Sequence, residues 1–330
     1  MIHLHLTFNI IALIADSMSQ NPHISVISPV YQSARLVDTL VERISTAVAG
    51  LTAHFEIILV EDGGTDDSWE QIQQNCTRDA HVRGIKLSRN FGQQAAIQAG
   101  LDASRGDFVV VLDCDLQDRP EEIPGLYAKA MEGFDVVIAS RQERQDGRFK
   151  RMLSSMFNRA MAYLTETDQD ASVANFALYS RKAVDALNEM RDYYRYYPLM
   201  SQWIGFPTVK VKTRHAQRED GHSSYSFSKS LKLAIDTMLM FSDKPLRLTI
   251  RLGVYLSLAS IAAAMVLIAL YFTGDVSAPG WTSLALLICF FSGSIISVLG
   301  IVGLYVGRIF ETVKMRPTYL IDQETNQGDV

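Results

Sequence analysis

The chain has 330 residues, of which 48% are apolar, and a formal net charge of −5 at pH 7. This acidic balance argues against a nucleic-acid-binding protein that relies on a general positive field. The cysteines Cys76, Cys114 and Cys289 have no metal-ligand spacing, so they indicate a reduced compartment and argue against a disulfide framework.

Strand and helix patterns alternate from residue 23 onwards, which predicts βαβ units and a mostly parallel, Rossmann-like sheet covered by helices. The expected fold class is therefore α/β. The predicted strands span residues 24–28, 55–60, 82–87, 108–112, 135–139, 175–180 and 208–213. The predicted helices span residues 34–49, 93–104 and 121–131, with another beginning near 65–67, one ending near 164 and two pieces across 182–204.

Two stretches near the C-terminus, Leu252–Phe272 with 21 residues and Ser283–Tyr305 with 23 residues, contain no charged side chain. At about 1.5 Å per residue, a helix of either length crosses a hydrocarbon core of about 30 Å. The short, turn-like connection between them predicts a transmembrane helical hairpin. Two buried helices of a soluble protein are the alternative.

Basic side chains flank both ends of this hairpin, whereas its connecting loop has no Lys or Arg. By the positive-inside rule, both flanks and the N-terminal domain lie on the cytoplasmic side, and we expect a bacterial inner membrane. Gly303 and Gly307 form a small-xxx-small pair, for which three interpretations stay open. The pair packs the two helices together, it joins protomers in a homo-oligomer, or the glycines are simply tolerated in lipid. The flanking basic residues are Lys244, Arg247, Arg251, Arg308, Lys314 and Arg316.

The expected domain organisation follows from these patterns. The apolar run Phe8–Ala15 is too short to span a membrane and weak as a signal peptide, so we expect an N-terminal extension ahead of a start at Met18. Tyr225–Phe241 has apolar residues at helical spacing, as in an interfacial helix or a packed core helix. The expected parts are an extension (1–22), an α/β domain (23–224), a juxtamembrane amphipathic helix (225–247), the hairpin (248–316, with helices at about 252–272 and 283–305) and a cytoplasmic tail (317–330).

A pair of carboxylates, Asp113 and Asp115, directly follows the apolar run Phe108–Leu112. Such a run is typical of a buried central strand, and open α/β sheets bind ligands at the carboxyl ends of their strands. Two carboxylates beside the amide oxygen of Gln117 suit a hard divalent cation, which usually binds together with a diphosphate. A solvated acidic turn is the alternative interpretation.

Polar segments follow four other predicted strands as well. Because parallel strands end at the same edge of a sheet, these segments and the carboxylate pair meet in one crevice. Five such clusters favour a ligand-binding domain over a purely structural one. The four segments are Pro29–Tyr31, Glu61–Asp66, Ser88–Gly92 and Ser140–Arg141.

Several of these segments carry a family resemblance. The chain resembles the family-2 inverting glycosyltransferases with a GT-A fold, of the polyprenyl-phosphate type that includes dolichol-phosphate mannosyltransferases and bactoprenol glucosyltransferases. The resemblance covers about residues 23–316, including the hairpin. The matching segments are Ile27–Tyr31, Val60–Asp66, Leu87–Gly92, Leu112–Asp118, Asn175–Arg181 and Phe241–Arg247.

The resemblance implies a role for each matching residue. Pro29 and Tyr31 line the base pocket, and Asp62 binds the edge of uracil or guanine. Asp113 faces the ribose and the diphosphate. The implied ligands of Mg²⁺ or Mn²⁺ are Asp113, Asp115 and Gln117. The implied catalytic residues are Asp113, Asp115, Arg141 and Asn175.

The resemblance also implies a basic site for the phosphate of the acceptor. Arginine suits this task because its planar guanidinium group matches phosphate oxygens in a bidentate way. Exposed basic residues that attract anionic lipid are the alternative for each of them. The residues concerned are Arg141, Arg148, Lys150, Arg151 and Arg218.

The sequence departs from the family pattern at three positions. Glu61 stands where the family often has Asp or Asn, and Gly64 where it often has Ser. Asn175 stands where many relatives have an acidic residue that is assigned as the general base, and an amide cannot take a proton. Three explanations stay open: Asn175 orients substrates while the dianionic acceptor phosphate needs little activation, Asp168 or Asp170 is the base, or catalysis is weak.

The resemblance predicts that the protein transfers a hexose from a UDP- or GDP-sugar to a polyisoprenyl phosphate, undecaprenyl or dolichyl, with inversion at the anomeric carbon. One alternative is a processive polysaccharide synthase, which is disfavoured because the chain lacks the Gln-x-x-Arg-Trp motif and has two predicted spans. The other is a non-catalytic membrane subunit that binds nucleotide sugar. The expected partners are the donor, the lipid acceptor and the bilayer, without nucleic acid.

Overall fold

The fold is built around one mixed sheet. The computed structural model describes residues 24–141, 173–190, 192, 195–213, 244–273 and 280–326, and eight strands of these residues form the sheet. The strands are β1 (Ile24–Val30), β2 (Phe55–Glu61), β3 (Val82–Leu87), β4 (Phe108–Val111), β5 (Val136–Arg141), β6 (Val173–Ser180), β7 (Thr208–Thr213) and β8 (Ile321–Thr325). Their order across the sheet is β7-β5-β6-β4-β1-β2-β3-β8.

Helices follow most strands, as expected for βαβ units. Helix α1, at Val37–Ala49, shows why they form: its buried residues recur at helical spacing and pack one face against the sheet. Short 3-10 turns precede two of the helices, at Ala34–Leu36 and Pro120–Glu122. The helices are α1 (Val37–Ala49), α2 (Ser68–Arg78), α3 (Gln93–Ala103), α4 (Ile123–Met131), α5 (Arg181–Glu189), α6 (Tyr197–Trp203), α7 (Lys244–Thr273) and α8 (Trp281–Val313).

Strand direction decides where the site lies. Strands β1 to β4 run parallel to one another, and β5 and β7 run the same way because both neighbours of β6 are antiparallel to it. Every residue of β1 and β2 is buried, as expected for central strands covered on both faces. The carboxyl ends of six strands and the amino end of β6 therefore share one edge. The expected mostly parallel α/β sheet is confirmed.

The segment after α8 returns to the sheet as β8, an antiparallel edge strand beside β3. The Trp69 indole donates to Gln323 Oε1 at 3.1 Å, and the backbone N–H of Gly84 donates to Thr325 Oγ1 at 3.1 Å. Gly84 has no room for a side chain, because a Cβ would lie 2.6 Å from Ile72 Cγ2. The expected tail 317–330 thus contains a strand that the sequence pattern did not predict.

Helices α7 and α8 are the two long apolar helices and form a unit separate from the sheet domain. The windows Leu246–Ala263 and Phe290–Val313 have mean hydropathies of 1.4 and 1.9, and neither window is buried within the described residues. Large apolar side chains such as Ile296, which is 69% exposed, face outward. By length and composition both helices can cross a membrane, as expected. Tyr225–Phe241 and residues 1–22 lie outside the described residues.

Candidate active site

The predicted crevice lies where β1, β2, β3 and β4 end. Val30 pairs with Glu61, and Glu61 pairs with Lys86, so these strands end at about the same level. The pairing continues one residue further, because Asp62 N donates to Val30 O at 2.9 Å. The register therefore brings the polar strand ends together at one edge, as the sequence predicts.

Asp113 is the centre of this edge. Its Oδ1 atom accepts a hydrogen bond from Gln93 Nε2 at 2.6 Å and a longer one from Asn175 Nδ2 at 3.4 Å. Gln93 is the first residue of α3 and Asn175 lies in β6, so two elements contact one carboxylate. The antiparallel register that pairs Val111 with Ala177 places Asn175 opposite Asp113 when it is continued by two residues.

The residues after Asp113 form a tight turn. Asp115 Oδ1 accepts the backbone N–H of Gln117 at 3.0 Å, as in an Asx turn. Leu116 between them is buried and has φ of 57°, a left-handed conformation that costs a non-glycine residue about 1–2 kcal/mol. Strain of this kind is concentrated at functional sites. The turn brings the carboxylate of Asp115 close to Gln117.

The chemistry of these side chains fits a hard divalent cation. Among the described residues, no group of three or more His, Cys, Asp or Glu side chains converges to hold a metal ion. Two carboxylates, Asp113 and Asp115, and the amide oxygen of Gln117 are an all-oxygen set of the kind that Mg²⁺ and Mn²⁺ prefer. Such ions commonly complete their coordination with water and substrate phosphate.

Asp62 occupies the neighbouring strand end and is only 3% exposed. Its two carboxylate oxygens accept the backbone N–H groups of Phe91 and Gly92, at 2.7 and 2.9 Å. Burial raises the pKa of the Asp62 carboxyl, and these two hydrogen bonds partly offset the rise. Each oxygen of a carboxylate has a second lone pair, so Asp62 can accept a further hydrogen bond from the edge of a base. This role stays a prediction.

The two other residues predicted for the base pocket differ in exposure. Pro29 is buried inside β1, where it pairs with Val60 of β2. Tyr31, the residue after β1, is 47% exposed. Only the ring of Tyr31 is therefore open to a stacking partner, while Pro29 belongs to the strand beneath it; both roles stay predictions.

Two of the departures from the family pattern, Glu61 and Gly64, are in contact. Glu61 is 1% exposed, and its Oε1 atom accepts the backbone N–H of Gly64. A Cβ at Gly64 would lie 2.9 Å from that oxygen. The longer carboxylate at position 61 thus occupies the space that a side chain at position 64 needs. Burial raises the pKa of Glu61, although the Gly64 N–H opposes the rise.

The acceptor side of the site is described in part. Arg141 ends β5 beside the amino end of β6, so its backbone lies at the same edge as Asn175. The other residues predicted for the acceptor phosphate or as a base lie outside the described residues, and their roles stay predictions. These residues are Arg148, Lys150, Arg151, Asp168, Asp170 and Arg218.

Gln93 is the contact that the sequence argument missed, although it follows the segment Ser88–Gly92 at the same sheet edge. Its position directly after a strand-end loop is the signal that points to it. The loop between β3 and α3 also lies against Gly63, which has φ of +62°. A Cβ there would overlap the backbone of Arg89 and Asn90.

Comparison with known proteins gives one family. The sequence profile of "Glycosyl transferase family 2" matches residues 25–187. The chain is 32% identical over 307 residues to "Uncharacterized glycosyltransferase YkcC" of Bacillus subtilis (strain 168), covering 93% of this chain and 95% of that protein. It is 35% identical over 303 residues to "Undecaprenyl-phosphate 4-deoxy-4-formamido-L-arabinose transferase" of Proteus mirabilis (strain HI4320), covering 91% and 93%.

The fold is also found among solved structures. The glucosyl-3-phosphoglycerate synthase of Mycobacterium tuberculosis, in complex with Mn²⁺, UDP-glucose and phosphoglyceric acid, matches with a TM-score of 0.50 and 18% identity. The match covers 68% of this chain and 80% of that one. At this identity the likeness concerns the fold, and it agrees with the expected GT-A architecture.

Proposed function

Since the chain belongs to glycosyl transferase family 2, we propose that this glycosyltransferase transfers a hexose from a UDP- or GDP-sugar to a polyisoprenyl phosphate, with inversion at the anomeric carbon. The observation that carries the proposal is the Asp113 carboxylate, which is held by Gln93 and Asn175 beside the Asp115–Gln117 turn. This arrangement supports a set of oxygen ligands for a diphosphate-bound cation at the carboxyl edge of the sheet.

The donor binds along this edge in the proposal. Tyr31 stacks on the base and Asp62 accepts from its edge, while Asp113 and Asp115 lie beside the diphosphate. A bound Mg²⁺ or Mn²⁺ supplies positive charge that neutralises the departing nucleoside diphosphate. Mn²⁺ and UDP-glucose are ligands of the mycobacterial enzyme of the same fold; here the oxygen set of this chain is the reason to expect such an ion.

The acceptor phosphate is the nucleophile. One of its oxygens attacks the anomeric carbon, the bond to the diphosphate oxygen breaks, and the nucleoside diphosphate leaves from the opposite face. A phosphate monoester with a second pKa near 6 is mostly dianionic at pH 7, so the attack needs little help from a base. The amide of Asn175, which donates to Asp113, supports the orienting role among the three explanations for this position. Arg141 contacts the acceptor phosphate.

The two long apolar helices, α7 and α8, suit an acceptor that has a lipid part. Helices α7 and α8 expose apolar side chains along windows long enough to span a bilayer, so they keep the enzyme where a polyisoprenyl chain is dissolved. The Proteus relative is named for undecaprenyl phosphate, which supports an acceptor of this class. By the positive-inside rule, the basic flanks support a sheet domain at the cytoplasmic face.

A product analysis tests the proposal. Purified protein in lipid nanodiscs is incubated with undecaprenyl phosphate, Mn²⁺ or Mg²⁺ and radiolabelled UDP- and GDP-hexoses. The panel includes the UDP-linked form of 4-deoxy-4-formamido-L-arabinose, because the Proteus relative is named for that pentose derivative. We expect one lipid-extractable monosaccharide product from a hexose donor.

The other outcomes separate the alternatives. A growing polymer indicates the processive synthase, and donor binding without product indicates the non-catalytic subunit. Product from the pentose derivative alone overturns the hexose part of the proposal and leaves the acceptor part in place.

A further inference from the structure

One contact that the proposed chemistry does not use joins Asp62 to the loop after β3, here called the β3–α3 loop (Ser88–Gly92). Both oxygens of Asp62 are occupied by backbone N–H groups of this loop, and the side chain is 3% exposed. Hydrogen bonds to a charged acceptor are stronger than those to a neutral one. One buried carboxylate therefore holds two consecutive residues of the loop in place.

The loop is held at a second point by Gly63. This residue has φ of +62°, and its Cα lies so close to Arg89 and Asn90 that a Cβ would overlap their backbone atoms. The two consecutive residues after β2 thus fix the loop by hydrogen bonding and by close packing.

The fixed end of the loop leads directly to the diphosphate side of the site. Gly92 accepts helical hydrogen bonds at the start of α3, from Ala95 and Ala96, and its own N–H is bound by Asp62. The next residue is Gln93, whose side-chain amide donates to Asp113 Oδ1 at 2.6 Å. One peptide unit therefore connects the residue that Asp62 holds to the residue that orients Asp113.

We propose that Asp62 is a positioning residue for Asp113, acting through the β3–α3 loop and Gln93. The inference rests on the proposed function, because Asp113 has a role only if this edge binds a nucleoside diphosphate. It extends that function: the base side and the diphosphate side of the donor site are mechanically linked, so a change at Asp62 alters metal–diphosphate binding as well as base binding.

A double-mutant cycle on binding tests the link without the acceptor. The affinities of Mn²⁺–UDP and Mn²⁺–GDP are measured by calorimetry for the wild type, Asp62→Asn, Gln93→Ala and the double variant. Each single change removes one hydrogen bond to a charged group, so each lowers the affinity of the bound nucleotide by about 10- to 100-fold. Because both changes act on Asp113, the affinity of the double variant stays within about threefold of the affinity of the single variant that binds more weakly.

The same cycle separates this inference from simple base recognition. If Asp62 contacts only the base, the losses multiply to roughly 100- to 10,000-fold in the double variant, which contradicts the link. A wild-type protein that binds neither nucleotide contradicts the proposed function itself. The half-saturating Mn²⁺ concentration is a further readout. If Asp62 contacts only the base, this concentration is unchanged in Asp62→Asn. If Asp62 is linked to Asp113, this concentration rises in Asp62→Asn.

Hydrogen exchange checks the loop directly, whatever the nucleotide result. We expect the amides of Phe91 and Gly92 to exchange at least about tenfold faster in Asp62→Asn and in Gly63→Ala than in the wild type. The matched control is Gly133→Ala, since Gly133 also has a positive φ of +101° but has no atom within 4 Å of an added Cβ. Unchanged exchange at Phe91 and Gly92 in both loop variants overturns the inference.

Discussion

At the scale of single residues, Asn175 is the most instructive position. The sequence lacks the acidic residue that many relatives have there, whereas in the structure the Asn175 amide donates to Asp113 from the neighbouring strand β6. A carboxylate at this place would face the Asp113 carboxylate and repel it, because like charges at close range disfavour ionisation. The departure from the family pattern therefore agrees with an orienting role.

We predict that Asn175→Ala lowers kcat for lipid glycosylation by about 10- to 100-fold, because one hydrogen bond to a charged group is lost. Asp168→Asn and Asp170→Asn are expected to keep kcat within about threefold of the wild type. Steady-state kinetics with the active donor measures all three. If either aspartate variant loses turnover while Asn175→Ala retains it, the general base lies in that segment and Asn175 has no orienting role.

Glu61 and Gly64 are a second case in which the structure explains the residue choice. We predict that Gly64→Ser destabilises the sheet domain by about 1–3 kcal/mol, because its Cβ would lie 2.9 Å from Glu61 Oε1. Shortening the carboxylate with Glu61→Asp in the same chain recovers most of this loss. Chemical unfolding in detergent followed by circular dichroism measures the free energies. Equal destabilisation with Asp and with Glu at position 61 contradicts the steric explanation.

At the scale of secondary-structure elements, the turn after β4 is tied to α1 by an ion pair. Arg43 donates from Nε and Nη2 to the two carboxylate oxygens of Glu121, each at 2.7 Å. The Arg43 hydrogen bonds are the main cause that lowers the pKa of Glu121 to about 2. The pair is partly exposed, with Glu121 at 45%, so its contribution to stability is about 1 kcal/mol or less.

The sign of the pH effect follows from this lowered pKa. The stabilisation is present above the ordinary pKa of 4.5 and is lost as the pH falls from 4.5 towards 2, because the folded state binds a proton more weakly than the unfolded state. We predict that the stability difference between the wild type and Glu121→Gln is constant from pH 6 to 8 and shrinks below pH 4.5. Melting curves across pH measure it. A difference that grows on acidification contradicts the assignment.

The edge strand β8 is tied to β3 and α2 through the hydroxyl of Thr325. Thr325 accepts from Gly84 N and donates to Cys76 Sγ at 3.0 Å. We predict that Thr325→Val lowers the free energy of unfolding by about 1–2 kcal/mol, since a buried donor and acceptor lose their partner. The matched control is Thr208→Val on the opposite edge strand, where the hydroxyl makes a local bond to Phe206 O. Equal effects in both variants contradict a specific role for β8.

Sequence patterns predicted β1 to β7 because these strands have apolar residues in runs or, as in β7, at alternate positions, which is typical of strands. They did not predict β8, since its residues are mostly exposed and its partner Gly84 is 241 positions away from Thr325. The site follows the same rule. The position of Asp113 and Asp115 at the sheet edge was predictable because topology alone puts strand ends together, whereas the contact of Gln93 with Asp113 depends on the path of a loop.

At the scale of the whole molecule, the chain leaves the sheet domain before α7 and rejoins it at β8. If the two apolar helices span a bilayer, both flanks lie on one side of it, and from their basic residues we propose that this is the cytoplasmic side. We predict that alkaline phosphatase fused after residue 276, between the helices, is active, and that green fluorescent protein fused after residue 330 is fluorescent. An inactive phosphatase at 276 contradicts the hairpin topology.

The central claim is that the Asp113–Asp115 edge catalyses sugar transfer to a polyisoprenyl phosphate. The most direct measurement is the rate of lipid-linked sugar formation in nanodiscs by the wild type, by Asp115→Ala and by Asp107→Ala, which changes an exposed carboxylate at the opposite end of β4. We predict transfer by the wild type and by Asp107→Ala, and a loss of at least about 1,000-fold in Asp115→Ala. Undiminished transfer by a folded Asp115→Ala protein, or no transfer by the wild type with any donor in the panel, would contradict the account.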